Sequence, residues 1–276
     1  MSALKTTATV PEIASRNGVV RSGSRVVPEE MPIAFSYRGS THAVMMATPA
    51  DLEDFAFGFS LAEGIIVSPD DIIAVEPIEA GAGIDVQVTL RDVTAEALTA
   101  RRRRMAGPVG CGLCGIESIE QASRPVPRVA ASGFGLITPS DIEEAMAALG
   151  RAQLLNRETH AVHGAGFFVP GEGLIALRED VGRHNALDKL IGAVLRAGRK
   201  GEEGAVVVTS RLSVEMVQKA AILGASVLVA ISAPTALAIR TAEEAGMTMI
   251  GIARGQDFEV FTGPERIVAG VASNVA

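Results

Sequence analysis

The sequence has no tryptophan, one tyrosine, four histidines and two cysteines in 276 residues. So few cysteines exclude a disulfide framework, and a bridge between Cys111 and Cys114 would enclose two residues and close almost no loop. No apolar run reaches the roughly 18 residues of a membrane span. The start "MSALKTTATVPEIASRNGVV" has neither the charged n-region nor the apolar h-region of a signal peptide. A cytoplasmic location and no membrane partner are expected. Positive charge is short as well: 25 Lys and Arg stand against 32 Asp and Glu, a net charge of −7 that argues against general nucleic-acid binding.

What is present is apolar bulk. A hydrophobic share of 48% supplies the core of one large domain or two modest ones. Residues 1–20 read as a disordered arm. An α+β part over 21–100 follows, in which "RVVPEEMPIAFSYRG" and "STHAVMMATP" alternate around Gly39-Ser40 as a hairpin. Thr48 is read as the cap of a helix with Pro49 in its first turn, Leu52, Phe55 and Phe59 on one face and a stop at Gly64. "DIIAVEPIEA" and "GIDVQVTLR" form a second strand pair. A short amphipathic helix then leads to residues 101–133, where an Arg run, glycines and prolines read as a mobile functional loop or linker marking the domain boundary.

Residues 134–276 read as an α/β core. A Thr-Pro-Ser cap opens the helix "ITPSDIEEAMAALGRAQLL", "HAVHGAGFFVP" and "GLIALRED" are strands, and "GRHNALDKLIGAVLRAGRK" is a helix with Leu187, Leu190, Ile191 and Val194 on one face. "GAVVVTS", "LSVEMVQKAAILG", "ASVLVAIS", "PTALAIRTAEEAG" and "MTMIGIAR" then spell strand, helix, strand, helix, strand, with the uniformly apolar strands of a doubly covered parallel sheet. Such sheets bind ligands beyond their carboxyl ends. Those ends are Thr209-Ser210-Arg211, Ser232-Ala233-Pro234-Thr235 and Ala253-Arg254-Gly255, whose hydroxyls, helix starts and guanidinium groups suit a phosphorylated ligand. The plainer reading is that Ser213 and Thr235 are helix-start residues and nothing more.

"EDVGRHNALDKLIG" raises the same pair of readings. Asp180 or Asn185 is placed to cap the helix, and Arg183, His184, Asn185 and Lys189 bring donors to its first turns, where anions are favoured. A solvated polar helix start is the alternative, and His163 reads as a buried core histidine. In "GPVGCGLCGIES" the two cysteines stand three apart between glycines, just after "RRRR" at 101–104, and nearby positive charge lowers a thiol's pKa. An incidental pair, or half of a zinc site shared across a dimer, is the competing account. A thioredoxin-like pair is disfavoured because no core strand precedes it. A zinc deaminase needs H-x-E, which none of His42, His160, His163 and His184 supplies.

Taken in order, "TPADLEDFAFGFSLAEGII", the C-x-x-C, "EDVGRHNALDKLIG", "SRLSVEMVQKAA", "SAPTALAI" and "GIARGQDFEVFTGPERI" resemble the formate dehydrogenase accessory sulfurtransferase family (FdhD/NarQ) over about residues 20 to 270. The resemblance implies a sulfur carrier that accepts sulfane sulfur from a cysteine desulfurase as a persulfide and passes it to the molybdenum bis(guanine dinucleotide) cofactor before insertion into formate dehydrogenase. It also implies a homodimer and a cytidine-deaminase-like fold lacking the zinc site, with no permanent metal. Carried over by position, the persulfide cysteine is Cys111 with Cys114 as partner, and the cofactor segment is Ile252, Ala253, Arg254, Gly255, Gln256 and Asp257. Arg183, His184, Asn185, Ser210, Arg211, Ser232 and Thr235 are further candidates. The sequence departs from the family at Arg254-Gly255-Gln256-Asp257, where other members carry a Lys-Pro-Gly-Arg-like stretch, and at Thr159-His160-Ala161-Val162-His163, where they often show T-G-G-V-H.

Overall fold

The structure is a computed structural model and describes residues 4–105, 126–130 and 135–268. Cys111 and Cys114 lie outside the described residues. It is a mixed α/β protein with three sheets.

The chain opens with a two-stranded ribbon, β1 (Thr7–Arg16) and β2 (Val19–Pro28), paired over ten positions from Thr7↔Pro28 to Arg16↔Val19. This corrects the expected disordered arm. Asn17 and Gly18 both take positive φ, 51° and 78°, the two-residue turn that matches strand twist.

β3 (Met31–Tyr37), β4 (Ser40–Ala47), β5 (Ile72–Ala80) and β6 (Gly83–Leu90) form a sheet in the order β4-β3-β6-β5. Helix α1 (Leu52–Ala62) lies on it, with Phe35 stacked on Phe59 and edge-on to Phe55 in a buried core. The helix starts later than expected: Asp51 is its N-cap residue, and Thr48 is fully buried and bonded elsewhere. Helix α2 (Asp92–Met105) includes Arg101 to Arg104, so the Arg run is helical rather than part of a loop.

The remaining elements build one layered core. Helix α3 (Pro139–Ala152) begins with the expected cap: Thr138 Oγ1 accepts from Asp141 N–H at 3.1 Å and Asp141 Oδ2 accepts from Thr138 N–H at 3.0 Å. The short α4 (Leu154–Thr159) follows. β7 (His163–Val169), β8 (Gly173–Asp180), β9 (Ala205–Val208), β10 (Val227–Ala230), β11 (Thr248–Arg254) and β12 (Asp257–Thr262) form a six-stranded sheet in the order β12-β11-β10-β9-β7-β8. Its centre, β9-β10-β11, is parallel and the outer pairings are antiparallel.

Helices α5 (Arg183–Arg196), α6 (Val214–Leu223) and α7 (Ala236–Ala245) cover one face, packing on Val206, Val208, Leu228 and Ala230. Helix α3 covers the other against Ala205, Val207, Val227 and Val229. That alternation is why four-residue strands can be apolar throughout.

Two glycines join the α+β part to this core. Where α1 crosses α5, a Cβ on Gly58 would lie 1.7 Å from the Asp188 carbonyl oxygen, and one on Gly192 would lie 1.8 Å from that of Asp54. Only glycine lets the two backbones come this close. Asp54, almost fully buried on α1, accepts from Arg178 Nε at 2.7 Å and from Arg196 Nη1 at 2.6 Å. Among the described residues no helix is long and apolar enough to cross a membrane.

Candidate functional site

The turn from β8 into α5 is held by a buried ionic knot. Lys189 Nζ donates to Asp180 Oδ2 at 2.6 Å and to the Thr48 carbonyl at 2.8 Å, and Thr48 N–H donates to the same Oδ2 at 3.0 Å. Asp180 Oδ1 accepts from Gly182 N–H at 2.8 Å and from Asn185 Nδ2 at 3.0 Å. Both side chains of the ion pair are fully buried, and the carboxylate has four donors around it, which is what makes an interior charge tolerable.

Neither Asp180 nor Asn185 caps α5. The N-cap residue is Gly182, without a side-chain capping bond. Asn185 faces inward and donates also to the Met46 carbonyl, so its amide belongs to the knot rather than to a ligand. Lys189 is committed there too.

Beyond this anchor the carboxyl ends of the parallel strands are sewn into one rim. Leu212 N–H donates to the Ala233 carbonyl at 3.3 Å, Thr235 N–H to the Leu212 carbonyl at 3.0 Å, and Ile252 N–H to the Ser232 carbonyl at 3.3 Å. The rim continues into β7, where Gly164 N–H donates to Thr209 Oγ1 at 2.9 Å. The fold thus brings together the predicted Ser210, Arg211, Ser232, Thr235 and Ile252–Asp257.

Their side chains differ in availability. Thr235 Oγ1 caps α7 by accepting from Ala238 N–H at 3.2 Å, and Ala253 packs into the core against α3. Ser210 is buried and its hydroxyl donates to the Arg211 carbonyl. Arg211, Arg254, Gln256 and Asp257 are exposed. Ile252 takes φ 54°, a left-handed conformation rare for a β-branched residue, within an irregular stretch of the β11–β12 pairing. Strain of this kind costs on the order of 1–3 kcal/mol and collects at functional sites.

The electrostatic character of the rim comes from α5 and α6, whose starts lie side by side. Lys219 on α6 pairs with the buried Asp188 on α5, and one turn earlier His184 and Glu215 act on each other. Burial, followed by the positive Arg183 and Lys219, pushes His184 down to about 4. His163, opposite Asp180 in the β7–β8 register, is lowered by burial and by Arg183. Both imidazoles are therefore neutral at neutral pH.

Arg183 Nε is buried without a hydrogen-bond partner among the described residues, and Ser213, at the N-cap position of α6, makes no side-chain capping bond there. Two helix starts without side-chain caps, an arginine with a spare donor and two uncharged histidines gather in one corner with the Glu215 carboxylate, which faces both Arg183 and His184. The sequence reading of His163 as a buried core histidine is corrected to a half-buried one facing this corner, and Glu215 drew no reading at all. The signal for His163 was its place at the start of a strand that pairs with "RED".

The FdhD/NarQ family model matches residues 28–268. The sulfur carrier protein FdhD of Agrobacterium fabrum is 64% identical over 259 residues, spanning 94% of this chain and 95% of its own. That of Brucella abortus is 57% identical over 259 residues, spanning 94% and 96%. Among solved structures, a Desulfotalea psychrophila protein described as a formate dehydrogenase accessory protein matches with a TM-score of 0.75 at 24% identity, over 96% of this chain and 100% of that one. The last likeness concerns the fold alone.

Proposed function

The chain belongs to the FdhD/NarQ family, and on that premise we propose that it is a sulfur carrier required for formate dehydrogenase activity. The observation that carries this reading is the 64% identity, over nearly the whole of both chains, to a sulfur carrier protein.

In finer terms, Cys111 is the carrier. Its thiolate attacks the terminal sulfur of a cysteine desulfurase persulfide, the donor's S–S bond breaks, the donor leaves as a thiolate and a new S–S bond forms on Cys111, with no outside oxidant or reductant. Cys114 assists release, or protects Cys111 as a disulfide formed by exchange with an external disulfide, which leaves as two thiols. The recipient is the molybdenum bis(guanine dinucleotide) cofactor, bound as cargo at the rim formed by Ile252–Asp257, Ser210, Arg211 and Ser232 with Arg183 and His184. The spare Arg183 donor and the uncapped start of α6 support a phosphate there. We read the second half as cytidine-deaminase-like, the working form as a homodimer and the compartment as the cytoplasm.

Mass spectrometry of the intact protein after incubation with a cysteine desulfurase and cysteine tests the sulfur step. Wild type should gain one sulfur atom that reductant removes, and Cys111→Ala should not. A gain unchanged in Cys111→Ala would remove that residue from the role.

A further inference from the structure

The β1–β2 ribbon is the part of the molecule that the sulfur-carrier reading leaves without a task. At ten residues per strand it is about 34 Å long, and a two-stranded sheet this size is marginal in water unless something packs on it. Its base is fixed: Arg25 Nη2 donates to the Thr159 carbonyl at 3.2 Å, and Val26 and Val27 are partly covered. From Val19 to Arg25 every β2 residue is exposed.

The register sorts the side chains onto two unlike faces, because directly opposed residues in an antiparallel pair share a face. One face gathers Arg16, Arg21 and Arg25 around Glu12 and the small Ala14 and Gly23, with Val10 37% and Val19 51% exposed among them, and carries a groove of about 500 Å³. The other gathers Pro11, Ile13 and Val20 among serines, with Ile13 77% and Val20 66% exposed. Bare β-branched side chains on a ribbon with two open edges are a docking surface or an aggregation hazard.

Charge selects the occupant. Three arginines against one glutamate give residues 7–28 a charge of +2, so the rest of this −7 chain carries −9. A basic ribbon rooted on an acidic body is complementary to a second such body.

We propose that the ribbon is an arm that lies across the body of a second copy of this chain, its arginine face, with Val10 and Val19, set against the partner's acidic surface. The proposal rests on the homodimer reading and names the surface that makes it. The purified full chain is compared with Val10→Ser/Val19→Ser and with Arg16→Glu/Arg21→Glu by multi-angle light scattering at low and high salt. Both variants should weaken dimerisation at least tenfold, and the wild-type dimer should weaken as salt rises. A photo-crosslinker at position 14, in a mixture of isotopically light and heavy protein, should join the arm of one copy to residues 31–268 of the other. A dimer indifferent to both variants, or crosslinks confined to one copy, would overturn the arm while leaving the homodimer standing. A wild-type monomer would remove both.

Discussion

Lys189 Nζ sits 2.6 Å from Asp180 Oδ2, both side chains have no exposure, and the same ammonium reaches the Thr48 carbonyl of a distant strand end. Lys189→Met keeps the apolar stem and removes the charge, leaving the Asp180 carboxylate in the interior without its ammonium partner. Removing one partner of a buried pair costs about 3–5 kcal/mol, and urea melts should show a loss of that order.

The α1–α5 crossing predicts that Gly58→Ala is damaging although alanine favours helix. Its methyl would fall on the Asp188 carbonyl, which cannot move aside without shifting α5. A destabilisation of roughly 1–3 kcal/mol or more is expected from thermal melts. Gly150→Ala, with nothing near its added Cβ, should be neutral or stabilising.

His184 has a folded pKa of about 4, below its unfolded value near 6.5, so the unfolded chain binds more protons between those values. Stability from this group is therefore lost as pH falls from about 6.5 to about 4. Asp188 works the other way: burial, opposed by Lys219, raises it to about 6, so the folded state gains relative stability as pH falls through 6 towards its ordinary 3.8. The two slopes partly cancel in wild type. His184→Gln removes one, and denaturation across this range should show that variant holding up better on acidification than wild type. An unchanged difference at every pH would count against the assignment.

If phosphate binds at the start of α5, guanosine diphosphate is the simplest probe. Arg183→Gln should weaken its binding roughly tenfold or more, since a hydrogen bond to a charged group contributes about 1.5–3 kcal/mol. Thr235→Ala should leave binding unchanged and cost about 1 kcal/mol of stability, because its hydroxyl is spent on the α7 cap. Calorimetric titration and thermal melts separate the two outcomes.

The legible parts of the fold were those that short-range pattern governs. "GAVVVTS" and "ASVLVAIS" are apolar throughout because helices cover both faces, and Thr138-Pro139 announced α3 with a capping box. The ribbon escaped notice because Pro11 interrupts β1 and Ser22, Gly23 and Ser24 dilute β2. Pro11 is tolerated since, among the described residues, the ribbon has no third strand to demand its missing N–H, and the Asn17-Gly18 turn was the signal that outweighed it. The make-up of the rim was legible because the strand-helix alternation of residues 205–254 marks where each parallel strand ends. The knot was not: Asn185 and Lys189 read as ligand donors from local spacing, and only the arrival of Thr48, more than 130 residues away in sequence, turned them inward.

Thr48 gives its N–H to Asp180, its carbonyl to Lys189 and its hydroxyl to the N–H of Val181. A residue so occupied ties the melting of the four-stranded sheet to that of the six-stranded one, so the two unfold as one cooperative unit. In hydrogen exchange, the Thr48 amide should trade its proton only when the whole molecule opens.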